Sequence, residues 1–140
     1  MSFNGKQAIV TGAGSGIGAA LGANARSARL DVTDAAAVQT AVDEIVDRAG
    51  RLDLIFNNAG IVWGGDTELL TLDQWNTIID VNIRGVVHGV AAAYPLMVRQ
   101  GHGHIINTAS MAGLLVEWTY SERALFLQPV CALLGCLRPR

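Results

Sequence analysis

Ala8-Ile9-Val10 runs directly into Thr11-Gly12-Ala13-Gly14-Ser15-Gly16-Ile17-Gly18, and this junction restricts the possible folds more than any other stretch of the chain. A short apolar strand that ends in a glycine-rich turn and opens a helix aims several backbone N–H groups at one point. The positive end of a helix dipole adds to them, and a pyrophosphate can sit there. Gly12 can take the positive φ that a tight turn off the strand requires. Gly16 keeps a Cβ away from the phosphates, and Gly18 lets the helix pack close to the strand. Ser15 and Ile17 complete the loop. The Gly-Lys-Ser/Thr ending of an ATPase phosphate loop is missing, so a dinucleotide fits better than ATP.

The 140 residues suit one domain, and 51% hydrophobic composition with 16 glycines suits parallel strands buried on both faces. A net charge of -2 gives no electrostatic case for nucleic acid or an anionic membrane as a partner. No basic start, apolar core and cleavage site precede the first strand. The uncharged stretch 124–137 is interrupted by Gln128 and Pro129 and is shorter than the roughly 20 residues of a membrane span. The expectation is a soluble cytoplasmic protein. Cys131 and Cys136 stand apart from any His or acid cluster and read as free thiols. His102 and His104 lack a third ligand, so no metal site is expected.

Periodicity orders the rest. Residues 17–26 suit a short helix weakened by Gly22, and Ala28-Arg29-Leu30-Asp31-Val32 alternates as a strand would. Thr33 is placed to cap the next helix, in which Val38, Ala41, Val42, Ile45, Val46 and Ala49 share one face and Gly50 supplies the stop. Residues 52–56 read as a buried strand entering the turn Asn57-Asn58-Ala59-Gly60. Thr71 and Gln74 have capping-box spacing at the start of a helical region reaching about Gln100, with Pro95 as a kink or boundary. Residues 104–110 return to strand. Such alternation implies an α/β, doubly wound parallel sheet in three αβα layers. Trp63 follows the Asn-Asn-Ala-Gly turn, where it can line a substrate pocket, and His88 reads as a helix-face residue.

From about Lys6 to Gly113 these motifs together resemble the short-chain dehydrogenase/reductase family. The glycine loop has its Thr-Gly-x-x-x-Gly-x-Gly spacing. Asp31-Val32-Thr33 looks like its adenine-side strand end, and residues 57–60 look like its Asn-Asn-Ala-Gly turn. Asn82 matches the helix asparagine and Ser110 the catalytic serine. The resemblance implies a Rossmann-like domain over 1–113, with 114–140 an atypical segment of the same domain. It also implies reversible hydride transfer between NAD(P)(H) and a small alcohol or ketone, in a homo-oligomer. In such chemistry a serine hydroxyl bonds the substrate oxygen, a tyrosine exchanges the proton, a lysine lowers the tyrosine pKa, and an asparagine holds a water of the proton relay. The cofactor residues implied are Gly12, Ser15, Gly16, Ile17, Gly18, Asp31, Asn58, Ala59 and Gly60, and the catalytic ones Asn82, Ser110 and Tyr120.

The chain departs from the family pattern in three places. Between Gly18 and Asp31 stand twelve residues, where the family has an additional strand–helix unit of roughly 30 residues. The sheet then has either a gap or residues 28–32 moved beside the first strand. In the second case Asp31 reaches the adenine ribose and repels the additional phosphate of NADP, which favours NAD. The alternative is that Asp31 only caps the following helix. The expected tyrosine and lysine positions hold Arg123 and Leu127, Tyr120 is the nearest tyrosine, and no lysine follows Lys6. Residues 127–140 have no helical face and contain two prolines, which suggests a rearranged terminus. Alongside a working dehydrogenase, two readings therefore stay open: a nucleotide-binding protein without catalysis, and a shortened product that acts only by association.

Overall fold

The computed structural model describes residues 5–14, 28–63 and 69–109. Three parallel strands, β1 (Ala8–Val10), β2 (Leu54–Asn57) and β3 (His104–Asn107), lie side by side in the order β1-β2-β3. Ala8, Ile9 and Val10 pair with Leu54, Ile55 and Phe56, which pair in turn with His104, Ile105 and Ile106. Backbone bonds from Thr11 N–H to Phe56 C=O (3.0 Å) and Thr108 N–H to Asn57 C=O (3.0 Å) extend the ladder toward the carboxyl ends.

Helix α1 (Ala35–Ala49) presents the apolar face expected of it, with Val38 and Val42 buried. Gly50 ends it at φ 74°, its N–H bonded to Val46 C=O. The cap is Asp34 and not Thr33. The Asp34 carboxylate accepts from Ala36 and Ala37 N–H, while the Thr33 hydroxyl turns back to Asp31. Residues 28–32 are not a strand either. The chain bends at once into α1, with Asp34 N–H bonded to Asp31 C=O at 3.2 Å. Leu30 packs on the core and Val32 is buried against Gly85, so the alternation that suggested a strand reflects two separate tertiary contacts.

A 29-residue helical stretch from Leu72 to Gln100 follows. It comprises α2 (Leu72–Ile79), a single wide π turn (Asp80–Arg84) and α3 (Gly85–Gln100). The capping box forms as its sequence requires: Thr71 Oγ1 accepts from Gln74 N–H, and the Gln74 side chain accepts from Thr71 N–H. Pro95 neither ends nor interrupts α3. It is exposed, so the donor it lacks falls on the solvent side, where water can serve the carbonyl one turn earlier. The stretch is long and apolar enough to cross a membrane, but α3 packs on β2, β3 and α1 as a core helix.

The core is one cluster of Val38, Val42, Leu52, Ile55, Ala92, Ala93, Met97 and Ile105. Ile55 and Ile105 are register partners, and side chains alternate faces along a strand, so the cluster lies on the Ile9-Ile55-Ile105 face of the sheet. On the other face Val10, Leu54, Phe56 and Ile106 are half-buried.

Candidate functional site

The carboxyl ends of the three strands converge on a network built from neutral amides, hydroxyls and glycines. Thr11, buried just past β1, is its hub. Its hydroxyl donates to Phe56 C=O (3.2 Å) and accepts from Asn58 N–H (2.9 Å) and Ala59 N–H (3.0 Å). One side chain thereby orders the turn after β2. Asn58 returns the contact, its Nδ2 donating to Thr11 C=O at 3.1 Å, and its Oδ1 accepts from the Thr108 hydroxyl at 3.1 Å. The three strand ends are tied in one line.

Gly12 sits at φ 68°, and a Cβ there would lie 2.8 Å from Ala59 Cα. Any side chain at this position would push the glycine loop off the Asn-Asn-Ala-Gly turn. The tight turn anticipated for Gly12 is therefore needed for two reasons, a left-handed backbone and a backbone-to-backbone approach. Gly60 in turn faces the Asn82 carboxamide, 3.5 Å from where its Cβ would be.

Asn82 is buried in the π turn, where the backbone bond runs from Gly85 N–H to Asp80 C=O. Its carboxamide clasps one peptide unit: Oδ1 accepts from Ile61 N–H and Nδ2 donates to Ile61 C=O, both at 2.8 Å. Single π turns inside α-helices are frequent at functional sites, because they re-aim a side chain without ending the helix. Here the turn delivers Asn82 to the segment leaving β2. Trp63, two residues further, is partly exposed beside it, and Trp75 is half-buried in α2.

Asn57 is buried at the end of β2 and donates from Nδ2 to Asn107 Oδ1 at 2.8 Å across the sheet. Its Oδ1 has no hydrogen-bond partner among the described residues and faces α3 at Gly89, where a Cβ would overlap it. The sequence signalled the Asn-Asn pair but not its partners. Gly85 and Gly89, one turn apart inside a helix, were the available sign of a close approach. Gly85 is in fact packed on Val32, at 2.9 Å from its would-be Cβ to Val32 Cγ2.

Asp31 is exposed. Its Oδ1 accepts from Thr33 N–H (2.9 Å) and the Thr33 hydroxyl (2.8 Å), and these two bonds hold its carboxyl below the ordinary value of 3.8. It is thus charged at neutral pH, at the head of a turn and not at a strand end beside β1. His88, expected only as a helix-face residue, is half-buried and its Nδ1 lies 2.9 Å from Val32 C=O. Ser15, Gly16, Ile17, Gly18, Ser110 and Tyr120 lie outside the described residues. No cluster of three metal-ligating side chains occurs among the described residues.

Residues 19–121 match the short chain dehydrogenase family. An oxidoreductase of Mycobacterium tuberculosis is 35% identical, covering 81% of this chain and 52% of the relative. A cyclohexanol dehydrogenase of an Acinetobacter strain is 33% identical, covering 81% and 58% respectively. A short chain dehydrogenase/reductase from Burkholderia phymatum, solved in complex with NAD, superposes with a TM-score of 0.75 at 34% identity, covering 84% of this chain and 53% of that one. One from Mycobacterium marinum gives 0.74 at 30% identity, covering 85% and 61%. This chain spans about half the length of the curated relatives it matches. The M. tuberculosis match takes 81% of 140 residues, about 113, over 145 aligned positions, so about 32 positions have no counterpart here. The parallel sheet, the glycine turn off β1, the Asn-Asn-Ala-Gly turn and the match over 19–121 place this chain in the short-chain dehydrogenase/reductase family.

Proposed function

We propose that this chain is an NAD-binding oxidoreductase of short-chain dehydrogenase/reductase type, acting on a small alcohol or ketone. The observation that carries the reading is the seat of Gly12 against Ala59, where a Cβ has no room. Backbone so tightly tied to the neighbouring turn, with Thr11 bonded into it, is a preorganised base for the loop that would hold a pyrophosphate. The residues present fit a dinucleotide. Gly12, Ser15, Gly16, Ile17 and Gly18 would offer backbone N–H groups to the diphosphate, and Asn58, Ala59 and Gly60 would wall the site. Asp31, charged at neutral pH and exposed in the turn before α1, would offer its carboxylate to ribose hydroxyls.

When bound, the nicotinamide supplies or accepts the hydride. The chain's own part is to hold Ile61 through the Asn82 carboxamide, to bond the substrate oxygen from Ser110 and to exchange one proton at Tyr120. The Acinetobacter relative is named for cyclohexanol, which makes a cyclic secondary alcohol the first substrate to try. Val87, Tyr94 and Val98, exposed along α3, give an apolar stripe for pairing with another copy in a cytoplasmic homo-oligomer.

A second reading, binding without turnover, is favoured by Arg123 and Leu127 at the positions where relatives of this type carry tyrosine and lysine. One pair of measurements separates the readings. Fluorescence titration with NADH is expected to show saturable binding, and its absence overturns both. Oxidation of cyclohexanol by the native chain, lost in Tyr120→Phe, supports the enzyme, whereas binding without turnover supports the second reading.

A further inference from the structure

We infer that His88 is a positioning residue for the cofactor's adenine half. The inference rests on the NAD reading above and adds to it a residue outside every site motif. A backbone carbonyl can only accept, so the 2.9 Å contact between His88 Nδ1 and Val32 C=O fixes the proton on Nδ1. One turn earlier on the same helix face, Gly85 receives the Val32 side chain at distances only a glycine permits, with would-be Cβ contacts of 2.9 Å to Cγ2 and 3.1 Å to Cβ. Val32 is therefore gripped twice by α3, through its side chain and through its carbonyl.

The grip matters because of what Val32 adjoins. Asp31, the residue before it, has its carboxylate set by Thr33 on the other side, and the whole turn is only four residues long. Among the described residues no strand holds 28–32, and the docking of Val32 on α3, together with the run into α1, sets where the Asp31 carboxylate stands. The π turn that fixes Ile61 through Asn82 leads directly into α3, six residues before His88. One continuous helix thus sets the spacing between the turn bearing Asp31 and the segment leaving β2.

The test is calorimetric titration of the full chain with NADH, AMP and reduced nicotinamide mononucleotide, for the native protein, His88→Leu and His88→Asn. His88→Leu is expected to weaken NADH and AMP about tenfold, as losing one partly buried hydrogen bond does, with the mononucleotide changed less than about twofold. His88→Asn, whose Nδ2 donates from nearly the same place, is expected to restore AMP to within about threefold. If His88→Leu does not fold, His88→Gln replaces it and the same split between half-ligands is read. Equal losses for AMP and the mononucleotide mean a purely structural histidine and overturn the inference, as does unchanged AMP affinity in His88→Leu. Failure of the native chain to bind NADH or AMP overturns the nucleotide reading itself, and this inference with it.

Discussion

The two ends of the sheet are held by opposite chemistries. At the amino ends, Asp53 is buried and collects Lys6 (3.6 Å), Arg51 (3.0 Å), His102 (3.6 Å) and the Gln7 N–H (2.8 Å). At the carboxyl ends stand Thr11, Asn57, Asn58, Asn107 and Asn82, all neutral, with glycines between them. The helical stretch serves both ends by one device. Gln100 clasps Leu52 before β2, with Oε1 accepting its N–H and Nε2 donating to its C=O, both at 3.0 Å. Asn82 clasps Ile61 after β2 in the same way. Charge thus fastens the amino ends. The carboxyl ends, where we propose the dinucleotide sits, are fastened by groups whose hydrogen bonds would neither repel a phosphate nor compete for it.

The largest expected effect tests the charged end. Burial raises the Asp53 carboxyl, but the Gln7 N–H, the Arg51 guanidinium and the Lys6 ammonium outweigh burial and hold it below 3.8. A carboxyl depressed on folding contributes stability that is complete above its ordinary value and is lost as pH falls through the folded one. Asp53→Ala should cost about 3 kcal/mol at pH 7 by urea unfolding. That is the low end for breaking a buried pair, because Lys6 and Arg51 are half-exposed. The variant's stability should also vary less than the native protein's below pH 3.8 and respond less to 1 M salt. A variant as acid-sensitive as the native chain would break the contrast between the two ends.

The neutral end answers to volume and to single donors. Gly89→Ala drives a methyl into Asn57 Oδ1 and should cost about 2 kcal/mol, unaffected by salt. Thr11→Val keeps the shape but leaves the Asn58 and Ala59 N–H groups without their acceptor. It should cost about 1.5 kcal/mol and also weaken NADH binding, measured by fluorescence. If Thr11→Val lost stability with NADH affinity intact, the carboxyl-end network would be a strand fastener and not a ligand seat.

How much of this was legible depends on how far apart the partners lie in sequence. The Gly50 stop, the Thr71 capping box and the α1 face are encoded by residues within one or two turns of each other, and they stand where the pattern put them. The turn at Gly12 was legible for the same reason. Residues 28–32 were not. Leu30 and Val32 alternate as in a strand, yet their partners are the core and Gly85, and a contact across some fifty residues leaves no local trace. The Thr33 cap failed on a closer competition, since Asp31 and Asp34 both offer carboxylates to this turn, and the Thr33 hydroxyl went to the former. Asn57–Asn107 and His88–Val32 are equally long-range, and only the pair of helix glycines hinted that something came close.

The smallest effect calibrates the others, because it touches neither end of the sheet. Thr71 caps α2 from an exposed position and bonds only within its own turn. Thr71→Ala removes one N-cap acceptor and should cost about 1 kcal/mol in urea. Because the cap is uncharged, that loss should be the same in low and high salt. Because α2 reaches Asn82 only through the π turn, NADH affinity should stay within about twofold if the Asn82 clasp on Ile61 holds the turn by itself. A larger loss of affinity would show that the turn depends on the helix in front of it, and that the neutral end draws its order from local helix propensity as well as from its amides.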